Sequence, residues 1–164
     1  MTVEEKIKEL FSYDPKSGQV VRKVTTSSRA KAGDIVGYDS HGYLQVSVAG
    51  TNYPLHRIAW LLMTGCWPKY QVDHVNRCRA DNTWKNLREA TSQENARNRG
   101  IQENNTSGFV GVSFNKRLQK WEAYSKTKGK KSHLGFYSTD VEASEAYKTY
   151  ARIVFGNFYA KMEE

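Results

Sequence analysis

The chain has 164 residues, a formal net charge of +8 and 38% apolar residues, with a pI of about 9.5 and a mean hydropathy of −0.73. These values describe a polar protein, long enough to bury a core as one domain or two small ones, whose surface favours a polyanionic partner. No apolar run reaches membrane-spanning length, and the opening MTVEEKIKEL is acidic where a secretion signal would be basic and then apolar, so no membrane contact and a cytoplasmic location are expected.

Thr2 stands three residues before Glu5, the spacing of a capping box, and Val3, Ile7, Leu10 and Phe11 recur at helical spacing. An amphipathic opening helix is therefore expected. Turn chemistry follows in YDPKSG, and Val20 to Val24 alternates as a strand. Ser27 to Gly33 is small and basic and reads as a mobile loop. Ile35 to Leu55 reads as strands joined by turns at Asp39 to Gly42 and Ala49 to Asn52, with Leu44, Val46 and Val48 on the core face. His56 to Gly65 reads as a helix stopped by glycine and apolar all round after Arg57, hence buried, with His56 and Arg57 ahead of its buried part.

Tyr70 to Val75 alternates as a short strand, Asn76 to Asn86 is a loop by its Asp-Asn and Lys-Asn pairs, and Leu87 to Ala90 returns as a strand. Thr91, three before Glu94, predicts a helix start that carries Asn95 in the first turns. Asp73 and His74 are neighbours. Successive strand residues face opposite ways, so one of them must lie at a strand end or bulge if both serve one site. Singly, these residues read as turn formers and a satisfied histidine; the spaced set points to chemistry. Hydrolysis of a phosphodiester needs a water deprotonated near neutral pH and charge neutralised on the phosphate. Histidine titrates in that range, and a carboxylate with an amide oxygen suits a hard cation.

The phrases VDH, NTWKNLREAT and QENARN resemble the HNH nucleases, whose ββα-metal module is two strands and a helix round one divalent ion. The helix followed by YDP-x-SG, and the HR-x-x-W phrase at His56, resemble the phage-encoded homing branch. His74 follows Asp73, Asn86 lies twelve residues on and Asn95 another nine. The resemblance implies His74 as general base, Asp73 and Asn95 as ligands of one Mg²⁺ or Mn²⁺, and Asn86 as the catalytic-loop brace. Asn95 replaces the second histidine of the motif. Arg57 becomes a candidate phosphate contact, a structural salt bridge being the alternative. Cys66 and Cys78 form no Cys-x-x-Cys pair, so reduced thiols and no structural zinc are expected.

Residues 101–108 lack apolar periodicity and read as a linker between a unit at 1–100 and a second at 109–164. In the second, Phe109 to Asn115, Lys120 to Thr127 and Lys131 to Ser138 alternate as strands, with Lys128-Gly129-Lys130 as a tight turn. Thr139 with Glu142 caps a helix whose stripe is Ala143, Ala146, Tyr147, Tyr150, Ala151, Val154 and Phe155, ended by Gly156. SGFVGVSF, KWEAY, HLGFY, EASEAY and FGNFYA resemble the Apetala-type, or ethylene-response-factor, DNA-binding domain. That family reads the major groove with its open sheet face, which implies Ser113, Asn115, Tyr124, Lys126, Lys131 and His133 as DNA contacts. The family's arginines and tryptophan are mostly absent there. Charge agrees without any family: residues 104–138 hold seven Lys or Arg against one acid, and 139–164 three against five.

The expected class is α+β, a ββα-metal core followed by a three-stranded antiparallel sheet on one helix. The leading function is a metal-dependent endonuclease acting on double-stranded DNA, close to small phage homing endonucleases. The alternative is a non-catalytic DNA-binding transcriptional regulator. An RNA-binding protein has the charge but lacks the aromatic pair of an RNP-type sheet. Protein partners stay open, with a monomer allowed.

Overall fold

The computed structural model describes residues 1–98, 100, 101, 103–127 and 129–159. The chain forms two compact units, Met1–Ser92 and Gln93–Glu164, both mixing helices with small antiparallel sheets. Among the described residues, no helix is long and apolar enough to cross a membrane.

In the first unit, α1 (Val3–Leu10) starts at the expected capping box, Thr2 Oγ1 accepting from Glu5 N and Glu5 Oε2 from Thr2 N. β1 (Phe11–Tyr13) and β2 (Val20–Arg22) pair antiparallel across the Asp14 turn. Asp14 closes that turn by accepting from Lys16 N, Ser17 N and Ser17 Oγ. Ser27 to Gly33, expected as a mobile loop, is internally tied. Thr26 N and Ser27 N donate to Ala30 O, Ala30 N donates back to Ser27 O, and Asp34 and Thr25 accept from Lys31 N and Ala32 N.

β3 (Tyr38–Ser40), β4 (Tyr43–Val48) and β5 (Thr51–Pro54) form one antiparallel sheet. Both hairpins have two-residue loops, His41-Gly42 and Ala49-Gly50, with positive φ at all four residues. That is the turn whose twist matches a right-twisted strand pair. Val46 and Val48 point inward as alternation requires, meeting Ile7, Phe11, Val20, Leu55, Ile58 and Leu61 in the main core. Each such aliphatic or aromatic side chain contributes about 1.5–3 kcal/mol by leaving water.

α2 (Leu55–Thr64) ends at Gly65 in the left-handed conformation. It is two-faced, not buried all round: Leu55, His56, Ile58, Ala59 and Leu61 are inside, and Met63 is exposed. His56 thus belongs to the buried face instead of preceding it. The apolar run hid this, because hydropathy alone marks no stripe in a segment with so few polar letters. β6 (Gln71–His74) and β7 (Leu87–Ala90) make a two-stranded antiparallel ribbon, packed on α2 through Val72, Leu87 and Ala59. α3 (Ser92–Arg97) is short, and the division between the units falls after its first residue.

In the second unit β8 (Val112–Asn115), β9 (Lys120–Thr127) and β10 (Lys130–Tyr137) form an antiparallel sheet with β9 in the centre. The first strand starts three residues later than expected. Asn105 and Ser107 instead bind the backbone of residues 107–109 and 112, and Gly108 and Gly111 take positive φ. Thr127 pairs with Lys130; Lys128, the first residue of the expected turn, lies outside the described residues, as do Gln102 of the linker and Ala160 of the closing phrase. α4 (Asp140–Phe155) begins at the Thr139–Glu142 capping box. Its inner stripe is Ala143, Ser144, Tyr147, Ala151 and Phe155, packed on Val112, Ala123, Val110 and Leu134. Val154, expected in the stripe, is exposed.

Gly111, just before β8, is closely covered by α4. A Cβ there would lie 2.2 Å from the Tyr147 ring and 2.6 Å from Tyr124 O, at φ +72°, whereas one at Gly108 (φ +74°) meets nothing within 4 Å. Gly108→Ala should therefore cost only the left-handed penalty, ~1 kcal/mol, and Gly111→Ala ~2–4 kcal/mol because overpacking adds to it. Denaturant unfolding of the two variants measures the difference; equal losses would mean that Tyr147 moves aside freely.

Candidate active site and nucleic-acid face

The β6–β7 register sets Asp73 opposite Arg88 and His74 opposite Leu87. Asp73 is 6% exposed and His74 4%. Arg88 sends Nε and Nη2 to the same carboxylate oxygen, Oδ2, at 2.9 and 2.7 Å. A buried carboxylate requires such a partner, since its desolvation is otherwise uncompensated. His74 is the last residue of its strand. It shares the ribbon face of Val72, the face packed on α2, and its Nε2 lies 3.0 Å from Asn82 Oδ1. The two neighbours therefore take separate partners on opposite faces, as alternation demands, with the histidine at the point where the strand gives way to the loop.

The loop between the strands is closed by its own side chains. Asn86, itself buried, accepts from Asn76 N at 2.8 Å and donates Nδ2 to Asp81 O at 2.7 Å. Its backbone oxygen accepts from Val75 N. Asp81 accepts from Asn76 Nδ2 and from Thr83 N and Oγ1. Burial pushes the Asp81 carboxyl up, but the bonds from Thr83 and Asn76 outweigh it and hold the group below its usual range. A one-turn 3-10 helix, Trp84–Asn86, delivers the chain to β7.

Aromatic rings surround His74. The His56 ring meets it edge-on at 5.1 Å, and Tyr43 lies 5.4 Å from His56 and 6.1 Å from His74. Arg79 stands 4.9 Å above Tyr43 and donates Nη1 to His41 O. His56 Nδ1 is buried without a hydrogen-bond partner among the described residues. Burial first, then the charges of His74 and Arg57, lower its pKa from 6.5 to about 3. His56 is thus a neutral wall behind His74. Arg57 points outward, 5.7 Å over the Trp67 ring.

Asp73, His74 and Asn86 lie in the first unit, and Asn95, in α3, belongs to the second. In the second unit the register places Ser113 and Asn115 on β8, Glu122, Tyr124 and Lys126 on β9, and Lys131 and His133 on β10 along one sheet face, opposite the face packed on α4. The feature not foreseen is Glu122. Its two oxygens accept from Lys131 Nζ at 2.8 Å and lie 3.0 Å from His133 Nδ1. Lys131 reaches it across Tyr124, its ammonium 4.3 Å from that ring. Burial opposes ionisation, yet Lys131 first and His133 after it keep the Glu122 carboxyl below its usual range. Asn115 Oδ1 accepts from Arg117 N and Leu118 N, closing the next turn.

Sequence reading missed Arg88, Asn82, Tyr43 and the burial of His56. His56 and Ala59 are three apart and both buried, but other residues of that run share the spacing, and the sequence does not say which row faces inward. Arg88 needs the ribbon register, which a loop of this length does not fix. Tyr43 lies on the face of β4 opposite Leu44 by alternation, and Arg79 from the loop between β6 and β7 lies over its ring.

The buried His56 gives the fold an acid-side weakness. Its folded pKa lies below its unfolded one, so the stabilisation from keeping it neutral is complete above pH ~6.5 and is lost as pH falls toward about 3. Over that window the unfolded chain binds one more proton, a slope approaching ~1.4 kcal/mol per pH unit. Urea titrations from pH 7 to 4 should show this slope in the wild type and a shallower one in His56→Phe. Identical slopes would place the acid sensitivity elsewhere.

Over 80 residues the chain is 32% identical to Protein 3.8 of Escherichia phage T7, a match covering 48% of this chain and 66% of that protein. No solved structure matches. The family described as HNH endonuclease matches residues 53–97. That segment runs from within β5 through α2, the β6–β7 ribbon and α3, so the residues around Asp73 and His74 form an HNH endonuclease-family domain within the chain.

Proposed function

We propose that the protein is a metal-dependent endonuclease that hydrolyses phosphodiester bonds in double-stranded DNA, most like a small phage homing endonuclease. The observation that carries this reading is His74 at the open end of β6, next to the arginine-paired Asp73, inside the segment that matches the HNH family. In this reading His74 takes a proton from water. The water oxygen bonds to phosphorus, and the bond to the leaving sugar oxygen breaks. Asn86 keeps the loop closed so that the histidine does not drift.

A carboxylate and an amide oxygen are donor types that a hard divalent ion takes, and Arg88 holds Oδ2 of Asp73. An ion held by these two donors would complete its shell with water and phosphate, as Mg²⁺ does. Asp73 would be its carboxylate ligand, and Asn95 the amide ligand that the HNH resemblance implies. When bound, the ion would neutralise charge on the phosphate and the leaving oxygen. Cys66 and Cys78 are free, exposed thiols.

Residues 109–164 serve, in the same reading, as an Apetala-type module that grips DNA through Ser113, Asn115, Tyr124, Lys126, Lys131 and His133, with Arg57 a further phosphate contact in the nuclease part at 1–100. Basic side chains set among hydrogen-bonding ones on one sheet face support it, since phosphates fix register and base edges give preference. A regulator that binds DNA without cutting it is the rival.

Incubation with supercoiled and linear duplex, in Mg²⁺ or chelator, separates the two. His74→Ala should lose ~10²-fold or more in cleavage and leave DNA affinity nearly unchanged, because a general base acts in the transition state. Affinity falling in step with activity would assign His74 to binding or folding. Glu122→Gln should tighten binding to random duplex and steepen the log-log salt dependence by up to ~0.9, because Lys131 is then free to neutralise a phosphate. Gel shifts at several salt concentrations read both, and weaker binding would make Glu122 an organiser of the face.

A further inference from the structure

We infer that Asn82 is the positioning residue for His74, and that the Asp14–Gly18 turn serves to hold Asn82 in place. This rests on the reading of His74 as the base. Asn82 is 2% exposed, and its Oδ1 lies 3.0 Å from His74 Nε2. An amide oxygen only accepts, so Nε2 carries the proton of the neutral ring and Nδ1 is left as the basic nitrogen. The packed His56 and Tyr43 rings confine the plane of the imidazole, and the Asn82 acceptor selects the tautomer; losing it removes that preference for a proton on Nε2.

What fixes Asn82 comes from far away in sequence. The Tyr13 hydroxyl donates to Asn82 O at 2.7 Å, and Trp84 N donates to Pro15 O at 3.0 Å. Between these two bonds Gly18 lies flat against the peptide of Asn82 and Thr83. A Cβ at Gly18 would come within 2.5 Å of Thr83 N and 2.6 Å of Asn82 C. Gly18 also has φ +75°, so glycine is required there twice over. Tyr13 is pushed up to about 12 by burial, then by Asp14 and Asp81, and so remains a hydroxyl donor across the working range. The turn is rigid because Asp14 caps it with three side-chain bonds and with a backbone bond from Gly18 N. Turn, asparagine and histidine form one chain of contacts, and its near end is the imidazole.

Two measurements test this on the full chain. Long-range ¹H–¹⁵N spectra of the imidazoles should show His74 protonated at Nε2 in the wild type, and mixed tautomers in Asn82→Leu. Single-turnover cleavage should fall about 10- to 100-fold in Asn82→Leu with DNA affinity unchanged, and recover in Asn82→Asp, which restores an acceptor oxygen. Tyr13→Phe should lose a few-fold in rate by the same route, and it decides the matter if Asn82→Leu does not fold. In a His74→Ala background Asn82→Leu should cost nothing further. A wild-type His74 protonated at Nδ1, or an Asn82→Asp as slow as Asn82→Leu, overturns the inference. If no variant and no wild type cuts DNA, the nuclease reading fails, while the spectra still report whether Asn82 sets the tautomer.

Discussion

A two-stranded ribbon of four-residue strands does not hold its shape in water, yet β6 and β7 are such a ribbon and carry Asp73 and His74. The remainder of the first unit can be understood as what makes it rigid. On one face Val72 and Leu87 are pinned to α2 by apolar burial. On the other the Asp73–Arg88 pair ties the strands together across the register. A pair of this kind adds little net stability over apolar packing but is costly to break, because one buried charge is then left alone. Its worth lies in fixing which residue stands opposite which. Beyond the strands, the loop is bonded to itself through Asn76, Asp81 and Asn86.

Legibility in the sequence followed the range of the interactions. Capping boxes at Thr2 and Thr139, the hairpins of β3 to β5 and the bounds of β7 are set by residues within a few positions of one another, and the periodicity located them well. Asp73, His74, Asn86 and Asn95 were marked by the resemblance of their motif to the HNH nucleases. The partners of those residues were not. Asp73 meets Arg88 fifteen residues away, and Tyr13 meets Asn82 sixty-nine away. No local pattern encodes such pairs, because they are fixed by how α2 and the hairpins stack. The expected start of the first strand of the second unit failed for a related reason: side-chain bonds from Asn105 and Ser107 compete with the ladder, and alternation carries no trace of that competition.

Charge counting overstated what the second unit offers to a polyanion. The sheet face is rich in cations, but Glu122 takes up Lys131 and His133 together. A cation already paired releases fewer counterions on meeting a phosphate. The face therefore behaves as if it held less charge than its composition, and it holds Lys131 extended over Tyr124 in the meantime. Order is gained at the expense of field strength.

The loop from Val75 to Asn86 separates its duties by position. Asn76, Asp81, Thr83 and Asn86 make the closing bonds, while Arg77, Cys78, Arg79 and Ala80 at the tip are exposed. Cys78 contributes its backbone to the closure, through N to Asn76 Oδ1 and O to Asp81 N, and its thiol is free. A reporter group attached to that sulfur would therefore sit a few residues from the imidazole without replacing any side chain that shapes the loop, which makes this tip the natural place to watch the loop open and close.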